Sequence, residues 1–458
     1  MNKRSLISIL LIICFSSFGQ NELEKYIPVE GSSFIFHPSI EIKTVVHIIK
    51  KSETDAENMT EDSLAFINNQ FEWINRFYKQ MYKPVLLPAN QVEYYIPDSR
   101  IKFKVDTILF HTDENDWDRI KTVLQMQQNE PIEMASVNLE TNEITITGKW
   151  KYKLEKAKDS IQIVRAGDNN GVYSHSGIRE IENKTIITLS QKLKSNTTGG
   201  IGYYTALNKN CNLDLWEKYT NSDKTALHVF YTGSSKSGIA FGCGPTPYYL
   251  NVSNLIKGGD WAGAQLTAHE LGHTIGLRHT DRPQFDDLPA SDKFGFIPCN
   301  STKTSNNIMG YNQCRNYLSP KQIGYVHQLY STKANRILLT TANEYHPEVP
   351  IEVWNDTIWN KAMVLRNDII IRKGQTLTIR NQVHLPQGAS IFIERGAHLI
   401  IDGAIITNVF GTGWQGIVFC KSYEKSDQLP CKKKQLGTID VRNEGKLVNA
   451  SLNPLIDI

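Results

Sequence analysis

The chain lacks the features that would mark a disordered, membrane-spanning or nucleic-acid-binding protein. No block of like charge is long enough to suggest a disordered tail, and 50 Lys and Arg against 47 Asp and Glu leave a net charge of +3 over 458 residues. A balance that even nominates neither a nucleic-acid partner nor a membrane surface. Cysteine is sparse, at seven residues, and no Cys-x-x-Cys spacing exists, which argues against a thiolate zinc site. After residue 20 no apolar run approaches the ~20 residues that a spanning helix requires, so no integral membrane segment is expected. What remains is an ordinary globular composition, 40% apolar and 21% charged, over a length that suits two or three domains.

The one long apolar run stands at the start. Asn2-Lys3-Arg4 precedes an apolar stretch from Leu6 to Phe15, and Ser17-Phe18-Gly19 sets small residues where a signal peptidase reads. Residues 1–19 are therefore expected to be a signal peptide, cleaved before Gln20. Loss of Lys3 and Arg4 then lowers the net charge to +1. Bulky Ile13 ahead of Cys14 argues against lipid attachment. The expected product is secreted and extracellular. Six cysteines beyond Cys14 suit that compartment: Cys211, Cys243, Cys299, Cys314, Cys420 and Cys431. All fifteen pairings are open; nearness favours Cys299 with Cys314 and Cys420 with Cys431, leaving Cys211 with Cys243.

Periodicity gives the first elements. Ile42 to Ile49 reads as a strand and Thr60-Glu61-Asp62 as a helix start. Leu64, Ile67, Phe71, Ile74, Tyr78 and Met81 then follow at spacings of three and four, one face of an amphipathic helix. Ile101 to Phe110 is a second strand. Strand, helix and strand in that order predict a mainly parallel sheet under a helical cover. Residues 130–200 hold short β-like runs between Asn, Gly and Lys turns, read as a β-rich insertion. Leu227 to Tyr231 and Tyr248 to Val252 are further strands, Asp260 is placed to cap a helix from Trp261 to about Leu277, and Ser319-Pro320 opens another. From Ile369 onward the texture changes to three-residue apolar runs with glycines at the corners, Gly374, Gly388, Gly396, Gly403, Gly416 and Gly437. That pattern predicts a β-solenoid rather than a sandwich, whose strands would be longer.

The chemistry concentrates in His269-Glu270-Leu271-Gly272-His273-Thr274-Ile275-Gly276-Leu277-Arg278-His279. On a helix of ~3.6 residues per turn, His269 and His273 lie ~40° apart and ~6 Å apart along the axis, so both imidazoles can reach one ion. His279 cannot join them on a continuing helix. Gly276 is able to take the left-handed conformation that reverses the chain and brings His279 round. Three neutral imidazoles leave a fourth position open, the catalytic type of zinc site. Glu270, ~100° round from His269, is placed to act as general base on a zinc-bound water attacking a peptide carbonyl.

These eleven residues resemble the signature of metzincin zinc peptidases, whose second mark is a methionine turn under the metal. Asn307-Ile308-Met309-Gly310-Tyr311 resembles that turn. The resemblance implies that Met309 is structural, forming a base under the histidines, and that Tyr311 ligates zinc at rest or stabilises the oxyanion. Within metzincins the chain is most similar to pappalysins, on the opening strand, helix and strand, Ala226 to Tyr231, the Asn-x-Met-x-Tyr turn, Cys299 and Cys314, and Leu318-Ser319-Pro320. This covers residues 42–332 except 130–200. Family members often carry an N-terminal cysteine that blocks zinc; residues 20–41 contain none. Ile239-Ala240-Phe241 resembles the edge strand that pairs with an extended substrate. Asp281, Asp286, Asp287 and Asp292 could bind calcium, but a solvated acidic loop is the favoured reading. The C-terminal region resembles β-solenoid segments of exported bacterial proteins.

The expected organisation is thus a signal peptide (1–19), an N-terminal segment (20–41), an α/β (α+β) metzincin-like zinc peptidase domain with a mixed, mainly parallel sheet (42–332), a linker (333–360) and a small all-β solenoid domain (361–458). The expected partners are a protein or peptide substrate and a capping or surface partner for the solenoid. The rival reading is a surface adhesion or scaffold protein with a vestigial protease domain.

Overall fold

The computed structural model describes residues 22–29, 37–126, 130–156, 160–235, 240–290, 292, 298–299, 304–420, 422–423 and 437–452. The expected signal peptide lies outside them, as does Cys431. Strand β1 (Ile40–Lys50) alternates buried and half-buried residues up to Val46, then buries both faces. The change follows from its place inside a sheet. Helix α1 (Leu64–Lys79) buries Ile67, Phe71, Ile74 and Tyr78 against that sheet. Leu64 departs from the expected stripe and stays 37% exposed, because it opens the helix directly after a 3-10 turn at Glu61–Ser63. Strand β2 (Ile101–Thr112) then pairs parallel with β1.

A second sheet follows, built from β3 (Ile120–Gln125), β4 (Ile132–Asn138), β5 (Glu143–Thr147), β6 (Ser160–Val164), β7 (Gly171–Ile181), β8 (Lys184–Leu189) and β9 (Gly200–Asn208). All its pairings are antiparallel, in the order β3-β9-β4-β5-β8-β7-β6, and β6 pairs back onto β9. The ring closes. The insertion is therefore a six-stranded barrel with β3 attached to its seam, wider than the 130–200 stretch read from turn residues. Its interior is filled by Ile132, Ile144, Ile146, Ile161, Ile163, Ile187 and Ile201, and closure leaves no exposed edge between the barrel's first and last strands.

Strands β10 (Leu227–Thr232), β11 (Phe241–Thr246) and β12 (Tyr249–Ser253) complete the first sheet in the order β11-β12-β10-β1-β2. Only β11, at the edge, runs antiparallel, so the sheet is mixed and mainly parallel. Helix α2 (Asp214–Thr220) covers one face with Leu215 and Trp216, against Ile49, Trp117, Phe230 and Tyr249. Helices α3 (Leu255–Thr274) and α4 (Pro320–Thr332) join α1 on the other face, around Val46, Ile48, Val229, Leu271, Ile275, Ile323 and Val326. Gly259 (φ 69°, ψ 178°) breaks α3, so its regular part begins where Asp260 had been expected to cap it. The carboxylate of Asp260 instead accepts from Asn69 on α1. Ser319 caps α4 as its sequence suggests, its Oγ accepting from the Gln322 N–H at 3.2 Å with Pro320 at the first position.

The C-terminal strands form three parallel sheets in a solenoid-like stack. One sheet stacks Ile351–Val353, Ile369–Ile371, Ser390–Glu394, Trp414–Cys420 and Ala450–Leu452. Identical side chains ladder through it: Ile351 pairs with Ile369, Ile369 with Ile391, and Ile391 with Ile417. The first coil begins at Ile351, inside the stretch read as a linker, because its runs, Ile351–Val353 and Thr357–Trp359, hold too few apolar residues to register as strands by themselves. The N-terminal segment bridges the two regions. Ile27 packs so tightly that a β-carbon on Gly324 of α4 would meet it at 2.6 Å, and Tyr26 Oη accepts from the Ala362 N–H at 3.0 Å. Among the described residues no helix is long and apolar enough to cross a membrane.

Candidate metal centre

Helix α3 delivers His269 and His273 to one face and then ends. The Gly276 N–H donates to the His273 carbonyl at 3.0 Å, and the Leu277 N–H to the Gly272 carbonyl at 2.9 Å. These two bonds form a Schellman closure around Gly276, at φ 102°. The reversal carries His279 back to the other two rings. Its Nε2 lies 2.8 Å from His273 Nε2 and 3.1 Å from His269 Nε2.

The opposite nitrogens decide the chemistry. His269 Nδ1–H donates to the Ile308 carbonyl at 2.7 Å, and His273 Nδ1–H to the Leu277 carbonyl at 2.9 Å. A carbonyl can only accept, so both protons sit on Nδ1 and both Nε2 atoms present lone pairs. His279 Nδ1 lies 2.8 Å from the Tyr311 oxygen, which can accept its proton and free the third lone pair. Burial pushes the His273 imidazole down to about 4 and also lowers those of His269 and His279, holding the rings neutral. Lone pairs this close repel unless a cation lies between them. Tetrahedral ligands at ~2.1 Å from one ion are ~3.4 Å apart, near the spacings found. Among the described residues, this is the group of three or more His, Cys, Asp or Glu side chains gathered closely enough to hold a metal ion.

Glu270 points at the edge strand. A β-carbon on Gly242 would meet its Cγ at 2.5 Å, and one on Gly244 would meet its backbone oxygen at 2.5 Å. Glycine at both positions lets β11 lie directly on α3. Burial pushes the Glu270 carboxyl up to about 7, against the opposing pull of Arg315 and of the Gly244 backbone N–H. Strand β11 is pinned from behind. Cys243 is bonded to Cys211, and Asn210 donates to the Phe241 carbonyl at 3.1 Å while accepting from Asn251 and Ser253.

The turn at residues 307–311 lies under the helix. Met309 is fully buried, and its Sδ stands 2.1 Å from where a β-carbon of Gly272 would be. Asn307 holds the turn by accepting from the Met309 N–H at 2.9 Å and donating to Gln322 of α4 at 2.7 Å. The same segment supplies Ile308, the acceptor for His269. The Tyr311 hydroxyl rests on the outer nitrogen of His279, not among the three Nε2 atoms, which makes it an orienting group for that ring in this state.

Other expectations fare differently. Cys299–Cys314, a pair that nearness favoured, and Cys211–Cys243, the pair that was left over, are both formed. The edge strand starts at Phe241, with Ile239 outside the described residues. The four acids do not gather for calcium. Asp287 accepts from Ser319 and the Lys321 N–H, Asp286 pairs with Lys321, and Asp292 accepts from Thr280, Thr304 and Ser305. The carboxylates of Asp286, Asp287 and Asp292 are committed to tying loops together, Asp287 is buried rather than solvated, and Asp281 Oδ1 is buried without a hydrogen-bond partner. Sequence reasoning missed Arg315 and Asn210; neither belongs to a recognisable spacing, and only their position in the fold marks them. No family model matches the chain, and no curated protein matches it.

Proposed function

We propose that the chain is a secreted zinc-dependent endopeptidase of the metzincin type, nearest to pappalysins, with Glu270 as general base. The observation that carries the reading is the convergence of three imidazole lone pairs whose opposite nitrogens are each occupied, beside a buried carboxylate. An all-nitrogen, three-imidazole set suits zinc, and a zinc ion there would supply Lewis acidity toward a carbonyl and toward water. Glu270 is held one residue from the first ligand and is desolvated enough to bind a proton near neutrality. The exposed side of β11 offers backbone groups to an extended peptide, which would then cross the site beside Glu270. Two disulfides support an oxidising compartment.

The test compares wild type with Glu270→Gln, using elemental analysis for zinc and a peptide library for cleavage. One zinc per chain in both proteins, with cleavage lost in the variant, is the expected result. Wild-type protein carrying no stoichiometric metal would end the proposal.

A further inference from the structure

Arg315 stands beside the metal centre, its carbonyl accepting at 3.5 Å from Gln265 Nε2, one turn before His269 on α3. Its Nε is buried and has no hydrogen-bond partner, and among the described residues its guanidinium makes no ion pair. Yet its charge bears on His269, Glu270, His279 and Tyr311 together. Glu270 is the carboxylate whose charge reaches it, but the two do not touch. The backbone around it is fixed. Cys314 is bonded to Cys299, the Asn316 N–H donates to the Asn306 carbonyl at 2.9 Å, and the Asn316 carbonyl accepts from the Tyr82 N–H at 3.0 Å.

A half-buried cation without an ion-pair partner carries a desolvation cost, which an oxyanion arriving against it would offset. The partner that fits is an oxyanion with two oxygens in a plane, since the guanidinium fork matches a carboxylate in a bidentate pair.

We infer that Arg315 recognises a carboxylate of the bound peptide, either the side chain of an acidic residue near the scissile bond or the peptide's terminal carboxylate. This rests on the peptidase reading above. It narrows the substrate class to peptides with an acidic group close to the bond that is cut.

Binding to the metal-free full-length protein tests it without requiring turnover. The probes are fluorescent hexapeptides in which Glu or Gln is scanned through each position, each made with a free and an amidated C-terminus. Wild type should prefer Glu over Gln at one position, or acid over amide, by about 10- to 100-fold. The first preference assigns the side chain as the source, the second the terminus. In Arg315→Met the ratio should fall to near one, and Arg315→Lys, which keeps the charge without the fork, should lie between. Circular dichroism and thermal melting show that each variant is folded; if the Met variant is not, the Lys variant alone decides by its intermediate ratio. Absence of any carboxylate preference in wild type, or its survival in Arg315→Met, would overturn the inference. Failure of the peptidase reading would look different, as missing zinc or missing cleavage with the binding preference intact.

Discussion

The sulfur of Met309 occupies the space where Gly272 has no side chain, 2.1 Å from the position of its absent β-carbon. Gly272 lies between Glu270 and His273 on α3, so the helix that carries the ligands rests on that sulfur. Gly272→Ala should gain ~1 kcal/mol in helix propensity and lose ~1–3 kcal/mol to overpacking. The loss wins. Thermal melting should show lower stability, and zinc titration weaker binding as the helix lifts; a more stable variant would contradict the packing described.

Tyr311 tests a different link. Its oxygen is hydrogen-bonded to His279 Nδ1 at 2.8 Å, so Tyr311→Phe should leave the fold intact and loosen the third ring. Groups that orient a metal-binding histidine are typically worth about 10- to 100-fold in metal affinity. Competition against a chromophoric chelator measures that ratio directly, and unchanged affinity would remove Tyr311 from this role.

A chain of imidazoles crosses the other face of the sheet. His228 Nε2–H can donate to Asp223 at 3.0 Å, His47 Nε2–H to His228 Nδ1 at 2.9 Å, and His111 Nε2–H to His47 Nδ1 at 3.0 Å. One set of neutral tautomers satisfies all three bonds. Burial pushes His47 down to about 3 from its ordinary 6.5. Its folded pKa is thus depressed, so the unfolded chain binds the extra proton between pH 6.5 and 3. The stability it contributes is present above pH 6.5 and is lost as pH falls, by up to ~1.4 kcal/mol per pH unit. Urea unfolding of metal-free protein at pH 7 and pH 5 should show this loss in wild type. His47→Phe should lose less, and equal losses in the two proteins would exclude His47 as the source.

In the solenoid-like stack, Ile391 is fully buried and stacked between Ile369 and Ile417. Ile391→Ala removes three methyl or methylene groups from the middle of the ladder and should cost ~2–5 kcal/mol. Each coil leans on its neighbours, so the damage should spread to the whole stack rather than to one coil. Hydrogen exchange of the strands at Ile369–Ile371 and Trp414–Cys420 should rise together; a rise confined to Ser390–Glu394 would refute that coupling.

The amino-acid sequence by itself determined what depends on neighbours along the chain. The 3.6-residue period set His269 and His273 on one face, Gly276 supplied the reversal for His279, and Ser319 with Pro320 opened α4. Short runs with glycine corners made a stacked β structure legible from Ile369 onward. Tertiary structure alone decided which groups meet the outer imidazole nitrogens: Ile308 lies 39 residues from His269, and Tyr311 lies 32 from His279. It also joined β6 to β9 into a closed barrel, began the solenoid-like stack at Ile351, and left the Arg315 Nε buried without a hydrogen-bond partner. The division has a physical cause. Helix period and turn conformation are set by the dihedral preferences of a few adjacent residues. Contacts between distant segments are selected by the packing of the whole core, where many weak terms must agree at once.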